Sequence, residues 1–189
     1  MNKLFTIALL LFLATTSVQS QEITFGGKIG ANYAELKGYD SQNYGGVTSI
    51  LAGMMAKVTF TKKIAFQPEL LFTRQGFKSY EYDLVLKYIS FPLMGKYYIT
   101  DKFSLEAGPQ LGFRSLAIAE SESFGQLDVK DRIKSFDLGV NIGVAYQLEN
   151  DVNFSIRYCY GLSNVNRTNI NNVNNQNTAI QLSVGYYFY

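Results

Sequence analysis

Eight ionisable side chains carry the chemical interest of this chain: Lys28, Lys57, Glu69, Lys96, Glu106, Arg114, Asp137 and Arg157. Five are basic and three acidic, and each falls at an alternate position in a segment whose intervening residues are apolar. Three kinds of chemistry fit such a set: a carboxylate pair for hydrolysis, a charged path for ions or a ligand, or ion pairs that neutralise one another. Glu69 and Glu106 could serve as an acid and a base. They lie on segments that are not neighbours in chain order, however, and share their phase with an excess of cations, so ion pairing is the expected role. The rest of the composition narrows the choice. Among 189 residues there is no His, which removes Ser-His and Cys-His nucleophile systems and imidazole metal sites. One Cys, Cys159, gives no internal disulfide and no thiolate cluster, and is read as a small residue of the polar phase. A formal net charge of +2 lacks the basic excess of a nucleic-acid binder. No enzyme, cofactor or metal is therefore expected.

The elements that position these charges show a period of two, the mark of a strand with two different faces. Eight segments show it: Thr24–Glu35, Ser49–Thr61, Ile64–Gln75, Val85–Ile99, Phe103–Ser115, Lys134–Leu148, Val152–Gly161 and Thr178–Tyr189. In the seventh, Phe154, Ile156, Tyr158 and Tyr160 alternate with Ser155, Arg157 and Cys159. Three connections are short: 61–63, 100–102 and 149–151. The other four are long: Leu36–Thr48, Gly76–Leu84, Leu116–Ile133 and Leu162–Asn177. Short and long connections alternate, so they fall on opposite rims of an up-and-down meander. Eight antiparallel strands close naturally into a barrel, which leaves no unpaired edge.

Alternation alone does not say which face points outward. Glycine in the polar phase (Gly26, Gly30, Gly53, Gly108, Gly112, Gly139, Gly143, Gly161 and Gly185) suits a narrow filled lumen rather than a solvated surface. Aromatics of the apolar phase gather towards strand ends, as in Phe25 and Tyr33, Phe66 and Phe72, or Phe136 and Tyr146, the pattern of interfacial girdles. The chain closes on Tyr186-Tyr-Phe-Tyr189, a terminal strand with a final aromatic. Residues 1–20 read as a secretory signal peptide: Lys3 is the positive region, Leu4–Ala14 the apolar core, and Val18 and Ser20 suit a cleavage site. Residues 21–189 then form one domain. In a bilayer core only helices and closed barrels satisfy every backbone group. The expected fold is all-β, an eight-stranded antiparallel up-and-down transmembrane β-barrel. The expected location is the outer membrane of a Gram-negative cell, with short turns in the periplasm and long loops outside.

Five segments strengthen that expectation: Phe66-Gln-Pro-Glu-Leu-Leu-Phe72 with Gly76; Tyr88-Ile-Ser-Phe-Pro-Leu-Met-Gly-Lys-Tyr-Tyr98; Leu105-Glu-Ala-Gly-Pro109; Asp137-Leu-Gly-Val-Asn-Ile-Gly-Val144; and Arg157-Tyr-Cys-Tyr-Gly-Leu-Ser-Asn164. In order and at hairpin spacing, they resemble the small outer-membrane barrels called PorT-like, or outer membrane protein beta-barrel domain. The resemblance implies an outer-membrane barrel and no defined activity. Membrane lipid and lipopolysaccharide are then expected around the barrel, and the barrel-assembly machinery during its insertion. The four long connections are where a protein or surface ligand would bind. They are rich in Tyr, acidic residues and Asn, with eight Asn among residues 164–177. The expected role is structural or interactive, through those loops, around a side-chain-filled lumen. A narrow porin for small solutes or ions is the alternative.

Overall fold

The computed structural model describes residues 22–37, 45–78, 83–121, 125–128, 135–163 and 176–188. The expected signal peptide lies outside them, as do the Asn-rich residues 164–175 and parts of the other long connections. The strands are β1 Glu22–Lys37, β2 Gly45–Thr59, β3 Ile64–Lys78, β4 Asp83–Tyr98, β5 Phe103–Ser121, β6 Gly125–Asp128, β7 Phe136–Gln147, β8 Val152–Gly161 and β9 Gln176–Phe188. Every pairing is antiparallel. The ladder runs β1-β2-β3-β4-β5-β7-β8-β9 and returns to β1, so eight strands close a ring and β6 adds to β5 beside it. Closure joins the first and last strands over thirteen residue pairs, from Phe25↔Phe188 to Lys37↔Gln176.

The period-two pattern sets the wall inside out. Apolar side chains face away from the barrel: Ile50 is 74% exposed, Met54 69% and Ile29 60%. Polar ones fill the interior, with Asn32, Gln67, Ser90, Asn141 and Asn153 all buried. A protein dissolved in water could not tolerate that arrangement, whereas one dissolved in lipid requires it. Outward aromatics form two bands. Phe25, Tyr97, Tyr146, Phe154, Tyr186 and Phe188 lie near the short-turn rim; Tyr33, Phe72, Phe113, Phe136 and Tyr160 lie nearer the long-loop rim. Phe113 and Phe136 are directly paired across β5 and β7, edge to face with ring centres 5.4 Å apart. Among the described residues no helix is long and apolar enough to cross a membrane; the strands make the crossing.

The short turns are built by side chains. The backbone amide of Ile64 donates to Thr61 Oγ1 at 3.0 Å, and that of Phe103 to Thr100 Oγ1 at 3.0 Å, so the same threonine device closes two hairpins. The third turn places Asp151 at φ 62°, in the left-handed region that Asp tolerates better than most residues. Lys102 donates to Glu149 at 2.7 Å between two of these turns, which raises the lysine and lowers the carboxyl relative to their ordinary pKa values. Both groups are exposed, so the pair contributes little to stability.

The long-loop rim is uneven. β4 and β5 extend further than the sequence pattern indicates, pairing up to Asp83↔Glu120, and β6 folds back on β5 through Ile118↔Asp128. The run Leu116-Ala-Ile-Ala119, which reads as loop, continues this ladder by pairing with Leu84–Lys87 of β4. A bulge marks where it begins: Lys87 pairs with Leu116 and Tyr88 with Arg114, leaving Ser115 extra, and Ser115 Oγ donates to the Lys87 carbonyl at 3.2 Å. Beside this tall wall, β7 begins at Phe136, paired with Phe113 of β5, and β8 next to it ends at Gly161.

A closed barrel resists detergent until heated. Purified protein loaded unboiled on a gel should migrate faster than the boiled sample. Identical migration of the two would show that no closed barrel forms.

Candidate functional site

The polar phases of different strands meet on the barrel axis, and their charges meet at Arg157 of β8. The residue is 2% exposed. Nη1 donates to Glu69 Oε2 at 2.7 Å and Nη2 to Glu69 Oε1 at 2.7 Å, a two-pronged fork on one carboxylate. Nε donates to Glu106 Oε2 at 3.0 Å, and Nη2 also bonds that oxygen. One guanidinium thus bridges β8 to β3 and to β5. Lys28 of β1 donates to Glu69 Oε1 at 2.8 Å, and Lys96 of β4 stands 3.9 Å from Glu106 Oε1. Gln67 of β3 accepts from Lys96 at 3.1 Å and from the Tyr187 hydroxyl of β9 at 2.6 Å. Six of the eight ring strands therefore place a side chain in one polar cluster. The remaining two accommodate it. Met55 of β2 packs against Gln67. On β7, Gly143 lies opposite Arg157 in the ladder, and a Cβ there would stand 2.8 Å from Arg157 Cγ.

The cluster holds three cations and two carboxylates, all with side chains at most 1% exposed. Burial of so many charges is tolerable because each faces an opposite charge, and Gln67 adds a hydrogen bond to Lys96 and another to Glu69. Glu69 and Glu106, the pair that could have served hydrolysis, are both held by the same guanidinium. Among the described residues no three His, Cys, Asp or Glu side chains gather as metal ligands.

The other three charges of the polar phase stand apart. Lys57 lies towards the short-turn rim, its ammonium 4.3 Å from the centre of the Tyr187 ring and donating to Gln147 at 3.3 Å. Arg114 and Asp137 lie towards the long-loop rim. Arg114 Nη2 donates to Ser135 Oγ at 3.4 Å, and Asp137 Oδ2 accepts from Asn177 at 3.2 Å. The eight residues form one central cluster and two flanking groups rather than a single network. Phase alone did not single out Tyr187 as a member. Its position two residues after Gly185, on the polar side of its strand, is the signal that could have found it.

An inverted barrel with a charged, side-chain-filled lumen and aromatic bands at both rims is a transmembrane β-barrel of the outer membrane. The family profile for the outer membrane protein beta-barrel domain matches residues 19–167, and the chain belongs to that family. A search of curated proteins returned no match. Among solved structures, Neisserial surface protein A is similar with a TM-score of 0.60 and 17% identity, over 88% of this chain and 99% of that one. The attachment invasion locus protein Ail of Yersinia pestis is similar with a TM-score of 0.55 and 17% identity, over the same shares of the two chains. A second structure of Ail, in complex with the heparin analogue sucrose octasulfate, matches with a TM-score of 0.53 and 18% identity, over 88% of this chain and 99% of that one. At these identities the likeness is one of fold.

Removing the guanidinium strands two buried carboxylates. Arg157→Leu should lower the unfolding free energy by about 3–5 kcal/mol, read as a shift of the urea midpoint in lipid vesicles. The fivefold change Arg157→Met, Glu69→Leu, Glu106→Leu, Lys28→Met, Lys96→Met removes every charge of the cluster together with its partner and should recover most of that loss. A midpoint for Arg157→Leu equal to that of the unaltered protein would show that the cluster is not formed in the membrane.

Proposed function

We propose that this protein is a non-conducting outer-membrane scaffold whose lumen is closed by the Arg157 cluster and whose work is done at its long-loop rim. The observation that carries the reading is the double bridge from Arg157 to Glu69 and Glu106. It crosses the lumen between three strands and leaves those side chains out of reach of solvent. An ion crossing the membrane would have to break a desolvated ion pair. An eight-stranded barrel is just wide enough for side chains to fill, which supports the same conclusion.

In this reading the short turns face the periplasm and the four long connections face outward. Those loops bind a protein or a surface ligand, as loops on a rigid scaffold commonly do. Outer-leaflet lipid, including lipopolysaccharide, surrounds the aromatic bands. The chain is secreted through its first twenty residues in a Gram-negative cell and inserted by the barrel-assembly machinery; nucleic acid is no partner. The absence of His and the engagement of both central carboxylates support a non-catalytic role. The PorT-like label rests on the five segments quoted above, and no secretion activity is carried over with it.

A second reading has one observation in its favour. The cluster carries one more cation than it has carboxylates, which suits a narrow, weakly anion-selective pore. Conductance decides between the two. Refolded protein in a planar bilayer should be silent, and the triple alanine variant at Glu69, Glu106 and Arg157 should conduct. Steady conductance of the unaltered protein that changes with Arg157 substitution would establish the pore instead.

A further inference from the structure

Between the central cluster and the long-loop rim, the lumen contains a cavity of about 20 Å³. Tyr88, Ser90, Gln110, Asp137, Asn141 and Cys159 line it. Its room comes from small residues on four strands, Gly112, Gly139, Gly161 and Ala179. Two of the polar walls are incompletely bonded. Asn141 is fully buried; its Nδ2 donates to Gln110 Oε1 at 2.9 Å, but its Oδ1 has no partner among the described residues. Ser90 is 1% exposed, and its Oγ likewise has none.

We propose that this cavity is a water-binding site: one water donates to Asn141 Oδ1 and bonds Ser90 Oγ, and it exchanges with bulk water only through the long-loop rim. The volume matches the roughly 10–15 Å³ or more that one water needs, and two unpaired polar atoms supply the minimum of partners. Left unmatched, each buried polar atom keeps its full desolvation cost, which gives the water its hold. The direction of access follows from burial. In the cavity wall itself, Gln110, Asp137 and Gly139 are only half-buried. Below it, Glu69, Glu106 and Arg157 are sealed from solvent. The one-sidedness rests on the closed-lumen reading; the water site itself rests on the cavity alone.

Cys159 lies in the cavity wall and is the only cysteine in the chain, so its S–H stretch is a single vibrational band reporting on this site. Folded protein in bilayers is transferred to D2O and the band followed by Raman spectroscopy. The S–H band should convert to S–D within minutes. The variant Asn141→Leu, Ser90→Ala, which fills the cavity and removes both polar atoms, should slow conversion at least tenfold. Gln147→Leu, near the other rim, should leave the rate unchanged. An S–H band that persists for hours in the unaltered protein, or an unchanged rate in the filled variant, would overturn the water site. Slowing by Gln147→Leu would overturn the one-sided access alone. If the filled variant does not fold, NMR of the unaltered protein decides: cross-relaxation between water and the Asn141 side-chain amide protons supports the site, and its absence overturns it.

Discussion

Arg157 decides what kind of object this barrel is. The outward faces of its strands are committed to apolar side chains, so everything polar that a strand carries must go inward, into a space with no bulk water. Five charges in that space are stable only because each is held against an opposite charge. The guanidinium suits the task because its planar fork satisfies one carboxylate with two parallel bonds and still reaches a second. A lysine at the same place would offer a point charge and no fork. The bridge thus links strands far apart in sequence, β3, β5 and β8, and adds transverse ties to a wall otherwise held by its ladder.

The rest of the interior is shaped around this bridge. Gly143 leaves the guanidinium stem its space, as Gly26 and Gly185 leave space for Met55: a Cβ at either would stand 2.8 or 2.6 Å from Met55 Cε. At Gly30, Gly53 and Gly108 a Cβ would instead meet a backbone carbonyl of the neighbouring strand, so these glycines serve the close approach of the strands themselves. Outside, the aromatic bands anchor the same wall at two levels, and the uneven rim gives the loops a tall side and a low side on which to stand.

Much of this was legible in the sequence because a strand's period reports its two faces directly. The segment Val152–Gly161 was delimited to the residue, and the inward direction of Lys28, Glu69, Lys96, Glu106 and Arg157 followed from phase alone. Period two does not report height along the axis or the stagger between strands. Which inward charges meet was therefore hidden, and eight residues of one phase resolved into a central cluster and two flanking groups. The upper part of β5 is hidden for another reason: Leu116-Ala-Ile-Ala119 is a continuous apolar run, and continuity, unlike alternation, does not mark a two-faced strand. The bulge at Ser115 also shifts the register between the strands, so the pattern was read as ending there.

The central claim is that one guanidinium is locked between two carboxylates inside the membrane, and it can be observed without altering the protein. With 15N-labelled arginine in nanodiscs, the side-chain Nε–H of Arg157 should give a resolved, downfield resonance that persists after transfer to D2O for as long as the core strand amides do. An Arg157 Nε–H that exchanges at the rate of a free guanidinium would mean a solvated lumen and would contradict the account.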